Sequence, residues 1–541
     1  MAVTSEAREQ QAERELGHTE ISRGTALALV VPFLVLLVAV SAWQLATRPP
    51  DVHPLVAGIP SACTLHRFER ALEDDSPAGK WLRPRLQLVL SRDLGVGNEQ
   101  VYLGEEGWLY HRAGVDYVVG PGFLDPAVLD RRRHETAPCE GAVQPDPVAA
   151  IADLDAQLAA RGIRLLVVPT PVKSVVAPER LARGARGPLQ NPSFEGFVAE
   201  LAQRGVDVFD PTPLLLEPGS YLATDTHWRP EAMERVAAAL AAKLPPATAA
   251  APRYERGTAV VRHRGDLLLL LNLPDDAALY PPEEVEIHPV LAYGEPWRPM
   301  RGADVLLLGD SFSNVYSDAE AFRSDRLGDA LGWGEGAGFA EQIAWYGARG
   351  VDRIVQNAGG AHAARAGLAA EMAREAADGR DRLAGTRVVI WQFAVRELAQ
   401  GDWKAIPLAA APAPGARPAA AVAGESTIRG VVAARAEAPR PGSVPYRDAL
   451  IALHVREIET VSGAPGPGAA VVYVFGLRDD EPTDEARLAP GTPIALRVES
   501  FASEAAQARA GSLNRVELDD LDLLALPAFL GTPLAPEGGR P

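Results

Sequence analysis

Cysteine is scarce in this chain of 541 residues, which has two, Cys63 and Cys139. Two cysteines exclude a zinc site built of four thiolates and a disulfide-dense scaffold. Cations are outnumbered, because 53 Lys and Arg face 71 Asp and Glu for a net charge of −18. This balance disfavours a nucleic-acid partner, since phosphate binding needs clustered positive charge. Hydrophobic residues make up 47% and charged residues 23%, which excludes wholesale disorder.

One uncharged apolar run, residues 24–47, is long enough to cross a bilayer core of about 30 Å. Arg23 and Arg48 flank it, and it is longer than the apolar core of a signal peptide, which is the alternative. The arginines before the run favour an internal N-terminus. We therefore predict a cytoplasmic tail (1–23), a transmembrane helix (24–47) and a single-pass inner-membrane protein whose bulk is periplasmic or otherwise extracytoplasmic.

Both cysteines follow this span and would lie in an oxidising compartment. A Cys63–Cys139 disulfide would close a loop of 76 residues (139 − 63). A loop of that length is worth on the order of 4 kcal/mol in the chain-entropy model. We expect this disulfide; two unrelated buried thiols are the alternative.

Composition divides the rest of the chain. Residues 48–94 have apolar positions at helical spacing and predict a helical stalk. In residues 95–404, predicted strands and helices alternate, which is typical of a parallel α/β sheet with helices on both faces. Within it, residues 101–120 are interpreted as short strands broken by glycine turns. The main predicted strands are 164–171, 206–209, 303–308, 352–356 and 387–393, and the main predicted helices are 146–162, 195–205, 230–244 and 337–349.

The C-terminal part is different in character. Residues 405–424 are rich in Ala and Pro and predict a linker. Residues 425–541 contain β-rich runs separated by Pro and Gly turns, which predict a small all-β accessory domain. Tyr446, Tyr473 and Phe475 are either core aromatics or a glycan-stacking surface of that domain.

The first chemical signal is the sequence VLLLGDSFSN at residues 305–314. Its apolar strand ends at Gly309, so Ser311 would stand at the carboxyl edge of a parallel sheet, where such sheets place their sites. Gly309 permits a tight turn, and the Ser311 N–H would then face a developing oxyanion. A serine or aspartate that only caps a helix is the alternative, and Ser313 is a second possible nucleophile.

The second signal is TDTHW at residues 224–228, just before a helix start at Pro230. A carboxylate on one imidazole nitrogen fixes the tautomer and leaves the other nitrogen to take a serine proton. Asp-x-His is also a metal-ligand spacing, but no further His or Cys cluster accompanies it, so we expect no metal. Together the two signals predict a triad in which His227 lies within hydrogen-bond reach of Ser311 and Asp225.

The order of these motifs resembles a known family. DTHW, then GDSFS, then a strand ending in Asn and the late strand VVIWQF resemble the SGNH-hydrolase-like domain of alginate O-acetyltransferases, the AlgX-like and AlgJ-like proteins. The resemblance covers residues 95–404 and includes GWLY at 107–110 and PTPVKS, which reaches Lys173. Ordinary SGNH hydrolases place the serine block first and DxxH last, so the order here is similar to the permuted acetyltransferase group.

This resemblance implies a flavodoxin-like parallel sheet, with Ser311 as nucleophile, His227 as base and Asp225 as its orienter. SGNH enzymes stabilise the oxyanion with the serine N–H, a glycine N–H and an asparagine side chain. The resemblance makes Asn357 and Gly359 the candidates for the last two donors, although the glycine could equally serve the turn.

Two further residues are candidates for substrate binding. Tyr346 would line the cleft, with core packing as the alternative. Arg396 lies in VVIWQFAVREL, where the family tends to carry an Arg-containing stretch.

The anchor and the resemblance together imply a periplasmic O-acetyltransferase that moves acetyl onto an exported polysaccharide through an acetyl-serine. No cofactor is expected, because acetyl-CoA is not expected outside the cytoplasm, and a membrane-bound acyltransferase would supply the acetyl group. The charge of −18 favours a neutral or weakly charged glycan as acceptor. Two alternatives stay open: an SGNH-type carbohydrate esterase that uses water as acceptor, and a non-catalytic glycan-binding scaffold of an export complex.

Overall fold

The chain divides into two compact units, residues 1–83 and 84–541. The computed structural model describes residues 22–47, 59–74, 76–135, 142–250, 252–274, 276–318, 333–357, 359–377, 379–412, 425–444, 446–463, 466–501, 503–510, 513–518 and 520–534. Cys139 lies outside these residues, so the predicted disulfide with Cys63 stays a prediction.

The N-terminal region is helical where it is described. Its helices are α1 (Arg23–Thr47), α2 (Ala62–Asp74) and α3 (Pro77–Leu94). Among the described residues, α1 is the one helix long and apolar enough to cross a membrane, a test that signal sequences also pass. The helical character predicted for 24–47 and for much of 48–94 is therefore confirmed, while 48–58 lie outside the described residues.

An α/β domain follows. Its strands are β1 (Val101–Leu103), β2 (Leu109–His111), β3 (Arg164–Thr170), β4 (Asp207–Val208), β5 (Tyr254–Arg256), β6 (Ala259–His263), β7 (Glu283–Ile287), β8 (Val290–Ala292), β9 (Glu295–Pro296), β10 (Val305–Gly309), β11 (Asp352–Val355) and β12 (Val388–Ala394). Its helices are α4 (Arg112–Val119), α5 (Pro126–Arg133), α6 (Pro147–Ala159), α7 (Lys173–Val176), α8 (Phe194–Gln203), α9 (Pro230–Ala241), α10 (Asp266–Leu271), α11 (Ser311–Asn314), α12 (Phe339–Gly347), α13 (Gly360–Ala377) and α14 (Glu397–Gln400). Each main strand and helix predicted from the sequence is present, with bounds shifted by a few residues.

The central sheet has the order β11-β10-β12-β3-β4, and all its pairings are parallel. If β10 is counted as strand 1, then β11 and β12 are strands 2 and 3, and β3 and β4 become strands 4 and 5. The order is then 2-1-3-4-5, which is that of flavodoxin-like sheets, with the chain entering at the fourth strand. The parallel sheet implied by the resemblance is confirmed. Its strands have the flavodoxin-like order in space, but the order in which the chain passes through them is circularly permuted.

Burial explains why these strands form the centre. The side chains of β10 and β12 are buried along their whole length, and those of β3 are buried after Arg164. Parallel central strands are covered on both faces and therefore show continuous apolar sequence. The helix α6 begins where the Asp146 carboxylate accepts hydrogen bonds from the N–H groups of Val148 and Ala149, with Pro147 in the first turn.

Two segments differ from the simplest interpretation of the sequence. Residues 112–119, which we included among short strands, form the helix α4, in which Gly114, Val115 and Tyr117 are buried. An ideal Cβ on Gly114 would lie 3.4 Å from the Val172 side chain, so this face of α4 is packed closely against the domain. Such tertiary packing outweighs the β propensity of the valines in the segment. In the predicted linker, residues 413–424 lie outside the described residues, whereas Ile406 is buried against Ala366 and Ala369 of α13.

The C-terminal part forms a closed β-barrel. Its elements are β13 (Ser426–Arg435), β14 (Ala449–Ser462), β15 (Ala469–Arg478), β16 (Glu481–Pro482), β17 (Pro493–Ser500), α15 (Glu504–Ala510), β18 (Asn514–Val516) and β19 (Ala528–Pro533). The order β15-β19-β17-β13-β14 is closed by a further pairing of β14 with β15. Tyr446 and Tyr473 are buried, which favours their interpretation as core aromatics. Phe475 is half-buried under the guanidinium of Arg478, 4.2 Å from the ring centroid.

Candidate active site

The serine predicted as nucleophile begins α11 directly after β10. Ahead of it, the Asp310 carboxylate accepts a hydrogen bond from Phe312 N at 2.9 Å and another from Ala394 N at 2.8 Å. The second bond joins the carboxyl ends of β10 and β12. These are strands 1 and 3 of the permuted order, so Ser311 lies at the topological switch point where such sheets bind ligands.

The two neighbouring serines have different environments. Ser313 is 1% exposed, and its hydroxyl donates to Gln392 Oε1 at 2.6 Å. An ideal Cβ on Gly309 would lie 2.5 Å from Ser313 Oγ, so a glycine is needed to let this serine pack against the strand. Ser311 is only half-buried. The geometry therefore makes Ser313 a structural residue of the turn and leaves Ser311 as the more accessible hydroxyl.

The predicted Asp-x-His motif lies at the tip of a hairpin-like loop. Tyr221 and Trp228 form an antiparallel bridge at its base, and Arg229 N donates to the Ser220 carbonyl at 2.8 Å. Glu283 of β7 holds one side of the loop, because its carboxylate accepts from the N–H groups of Ala223 and Thr224 and from the Thr224 hydroxyl. The carbonyl of Ala223 also accepts a hydrogen bond from Lys173 Nζ at 3.0 Å.

Asp225 and His227 form the pair predicted from the sequence. Asp225 Oδ1 lies 2.7 Å from His227 Nδ1 and accepts the His227 N–H at 2.9 Å. Asp225 Oδ2 accepts hydrogen bonds from Trp333 Nε1 at 2.8 Å and from Asp266 N at 2.9 Å. Burial opposes the charge of Asp225, but His227 and these donors outweigh burial and hold the pKa of the carboxyl well below its usual range.

The environment of His227 suits a base that becomes charged. Burial alone would lower the pKa of the imidazole, but the negative charges of Asp225, Asp266 and Asp310 raise it above its ordinary value. Three carboxylates therefore stabilise an imidazolium at a position that is almost completely buried.

The serine turn and the histidine loop pack directly on each other. The Phe312 ring lies 4.9 Å from the His227 ring, edge to face. Trp228 Nε1 donates to the Phe312 carbonyl at 3.1 Å, and the Tyr316 hydroxyl donates to the Trp228 carbonyl at 2.6 Å. These contacts bring the residue after Ser311 against the imidazole. The hydrogen bond between Ser311 and His227 itself stays a prediction.

Of the two residues proposed as oxyanion donors, Asn357 is hydrogen-bonded to the helix that Ser311 begins, whereas the role of Gly359 stays a prediction. Asn357 follows β11, is 8% exposed, and its Oδ1 accepts a hydrogen bond from Asn314 Nδ2 at 3.3 Å. Because Asn314 belongs to the same turn of helix as Ser311, this bond fixes the Asn357 amide next to the serine loop. Gly359 lies just before α13, where an added Cβ would collide with the Ala363 side chain.

Arg396 borders a small, partly open cavity next to the histidine loop. The cavity is also lined by Tyr110, His111, Gly114, Val172, Lys173, Ser174 and Thr226. Arg396 Nη1 and His111 Nδ1 have no hydrogen-bond partner within the part of the chain that the structure describes. Burial lowers the pKa of His111 to about 3, and the charges of Arg396 and His227 act in the same direction. The cavity thus offers polar groups to a ligand beside the predicted triad.

Tyr346 occupies a different environment. The Arg256 guanidinium lies 5.5 Å from its ring centroid, and Arg256 Nη1 donates to its hydroxyl at 3.4 Å. Arg256 is in turn paired with the buried Glu234 of α9. The hydrogen bond and the cation–π contact of Tyr346 are both with Arg256, and its role in substrate binding stays a prediction.

A metal ion could in principle be held by three side chains whose ligand atoms lie within 4.8 Å of one another, Asp225, His227 and Asp266. However, each oxygen of Asp225 already accepts two hydrogen bonds. A carboxylate oxygen has about two lone-pair sites, so none remains on Asp225 for a cation. The chemistry of the donor set therefore fits an oriented imidazole better than a metal.

Sequence reasoning missed several residues of the site. Trp333 reaches Asp225 across 108 positions of chain, and no local pattern marks it as a donor to a carboxylate. Asp266 reaches the same loop from 41 positions away. Its sequence, GDLLLLL, has the appearance of an ordinary helix start, which is the only signal it carries.

The α/β domain is similar to a known protein family. Residues 101–346 match the family described as SGNH hydrolase-like domain, acetyltransferase AlgX. The resemblance noted from the motifs is therefore confirmed: this domain of the chain is similar to the AlgX-like and AlgJ-like acetyltransferases.

Individual relatives are distant. The chain is 28% identical over 311 residues to the probable alginate O-acetylase AlgJ of Pseudomonas aeruginosa, covering 54% of this chain and 72% of the relative. It is 24% identical over 262 residues to the probable alginate O-acetylase AlgJ of Pseudomonas syringae, of which it spans 62%. The solved O-acetyltransferase domain of Pseudomonas putida AlgJ has 20% identity and a TM-score of 0.39, covering 56% of this chain and 92% of that one.

Proposed function

We propose that the chain is a membrane-anchored extracytoplasmic O-acetyltransferase that moves an acetyl group onto an exported polysaccharide through an acetyl-Ser311 intermediate. One observation carries the proposal: a buried Asp225–His227 pair packs against the turn that begins with a half-exposed serine at the switch point of the sheet. The relatives named as probable alginate O-acetylases support acetyl transfer to a polysaccharide.

In the first half-reaction, the Ser311 hydroxyl attacks the carbonyl carbon of an acetyl ester and its proton passes to His227 Nε2. The tetrahedral intermediate collapses when the bond to the leaving alcohol breaks and His227 returns the proton to that alcohol. In the second half-reaction, a sugar hydroxyl gives its proton to His227 and attacks the acetyl-serine. Ser311 then leaves and regains the proton, so the enzyme is restored without a cofactor.

Asp225 keeps the imidazole in the productive tautomer and stabilises its charged form, because its Oδ1 is bound to Nδ1. The Ser311 N–H, the Asn357 amide and the Gly359 N–H would stabilise the oxyanion. Arg396 would bind polar groups of the acceptor chain at the cavity beside the histidine loop. The acetyl donor would be delivered by a membrane-bound acyltransferase.

The test is acetyl transfer by the full chain in membranes, with a soluble acetyl ester as donor and oligosaccharides of different charge as acceptors. The proposal requires acetylated oligosaccharide, formed faster than free acetate is released. Release of acetate at the same rate with and without acceptor would instead indicate an esterase. An unchanged phenotype of the Ser311→Ala chain in polysaccharide acetylation would indicate a scaffold.

Asn357→Ala is expected to lower kcat by about 10²–10³-fold with little change in KM, because an oxyanion donor acts mainly in the transition state. Initial rates over a range of acceptor concentrations measure both constants. Asn191→Ala is the matched control, since Asn191 is also a buried amide and its Nδ2 donates to the Tyr117 and Pro121 carbonyls. Equal losses of kcat in the two variants would contradict the assignment of Asn357.

The anchor gives a separate prediction. Because α1 is apolar and the arginines before it favour an internal N-terminus, protease added to intact spheroplasts is expected to digest the bulk of the chain. Immunoblotting against a tag at the C-terminus follows the loss. Protection of the tag, in cells whose cytoplasmic marker is also protected, would contradict this orientation and with it the proposed Cys63–Cys139 disulfide.

A further inference from the structure

A second carboxylate reaches the catalytic imidazole from α10. Asp266 Oδ2 lies 3.7 Å from His227 Nδ1, while Asp225 Oδ1 lies 2.7 Å from the same nitrogen. The shorter distance is a hydrogen bond, whereas the longer one is an electrostatic contact. Asp266 is 6% exposed, so this contact is shielded from solvent.

Asp266 is locked to the histidine loop by two hydrogen bonds in opposite directions. Its carboxylate accepts the Thr226 N–H at 2.7 Å, and its own N–H donates to Asp225 Oδ2 at 2.9 Å. The approach is close, because a Cβ on Gly265 would collide with the Thr224 carbonyl, and Gly265 has a φ of +89°. A glycine is needed there so that Asp266 can reach the loop.

We propose that Asp266 is a positioning residue for His227, a second carboxylate that holds the loop from the α10 side and supports the imidazolium formed during acyl transfer. The inference rests on the proposed function, since it assigns Asp266 a part in the work of the same imidazole. It adds a residue that neither the sequence motifs nor the family match identifies.

The charges around Asp266 and His227 determine whether Asp266 is ionised and so whether it affects the pKa of His227. Burial raises the pKa of Asp266 to about 6, and the negative charge of Asp225 contributes in the same direction. Asp310 acts on the imidazole from the serine turn and His111 faces it from β2. Glu283 contacts the loop at Thr224, and Lys173 interacts electrostatically with Glu283, Asp225 and Asp266. Lys173 is itself held by the carbonyls of Leu109 and Ala223. Asp266 is therefore ionised at neutral pH and loses its negative charge as the pH falls through about 6.

Loss of that charge lowers the pKa of His227, because an ionised carboxylate near an imidazole favours the charged form. In Asp266→Asn the amide oxygen keeps the bond to Thr226 N, but the charge is gone. We expect the pKa of His227 to fall. The imidazolium formed during transfer is then less stable, which predicts a kcat lowered by about tenfold with KM unchanged.

The kinetic experiment compares the full chain with Asp266→Asn, Asp266→Glu and Asp304→Asn over the range of pH. Asp304 is an equally buried, ion-paired aspartate that precedes the amino end of β10, so it serves as the matched control. The acid limb of kcat/KM is expected to move to lower pH in Asp266→Asn, to return towards the wild-type position in Asp266→Glu, and to stay in place in Asp304→Asn. An unmoved acid limb in Asp266→Asn would overturn the proposal.

A titration that does not depend on activity separates this inference from the proposed function. The protein is labelled at histidine for NMR and carries Ser311→Ala. The His227 resonance is assigned by its absence in His227→Gln, and its chemical shift is followed against pH. A lower pKa on adding Asp266→Asn supports the inference even if the wild type transfers no acetyl group. The same pKa with and without Asp266→Asn would overturn it even if transfer is confirmed.

Discussion

Replacing Ser311 with alanine is expected to lower acetyl transfer by about 10⁴-fold or more, because the proposed covalent intermediate cannot form without its hydroxyl. The matched control is Ser313→Ala, two positions away in the same turn. Ser313 donates a buried hydrogen bond to Gln392, so its loss is expected to cost about 1–3 kcal/mol of stability and to leave kcat close to that of the wild type.

Measured rates of transfer and melting temperatures separate the two serines. In Ser311→Ala the rate is expected to fall while the melting temperature is retained. In Ser313→Ala the melting temperature is expected to fall while the rate is retained. An active Ser311→Ala protein together with an inactive but folded Ser313→Ala protein would reverse the assignment.

Replacing His227 with alanine is expected to abolish turnover to the same extent, since Ser311 then has no group to take its proton. In the proposed triad these residues act as a unit, so the double variant Ser311→Ala/His227→Ala is expected to be little worse than either single variant. Asp225→Ala should be less severe but still large, because the imidazole loses its tautomer and four buried donors lose their acceptor.

Rate constants from all four variants give the coupling between the residues. Strongly additive losses in the double variant would mean that Ser311 and His227 act independently, which the proposed mechanism excludes. The wild-type rate should also fall as the pH drops through the pKa of His227, which the surrounding carboxylates raise, since the base must be neutral to accept a proton.

The permuted strand order explains how motifs in reversed order can build one site. The Asp-x-His loop follows β4, which counts as the fifth strand of the sheet, and the serine follows β10, which counts as the first. Both loops leave the sheet at carboxyl ends of parallel strands, where sites of this architecture are formed. The loops meet through Phe312 and Trp228, so changing where the chain enters the sheet leaves the site in the same place.

Local sequence predicted most of the sheet because β3, β10 and β12 are largely apolar runs. It predicted the Asp225–His227 pair for a similar reason, since two residues apart in one loop are enough to place a carboxylate on an imidazole nitrogen. It failed for α4, where buried contacts of Gly114 and Tyr117 outweigh the strand propensity of the valines.

The remaining parts of the site depend on contacts between distant segments. Asp266 and Trp333 contact Asp225 because α10 and residue 333 fold back onto the histidine loop. Neither segment has a sequence pattern that indicates this contact. Closure of the barrel has the same origin, because β19 pairs in parallel with β15 and antiparallel with β17. Such pairings are set by the assembled core and not by any single stretch of sequence.

The most direct test of the central claim is to locate the acetyl group on the enzyme. The full chain is incubated with an activated acetyl ester in the absence of an acceptor, quenched in acid, digested and sequenced by mass spectrometry. One acetyl group is expected on Ser311, where it is lost on adding acceptor oligosaccharide and absent in His227→Ala. An acetyl group on Ser313, or transfer to the acceptor with Ser311 never modified, would contradict the central claim.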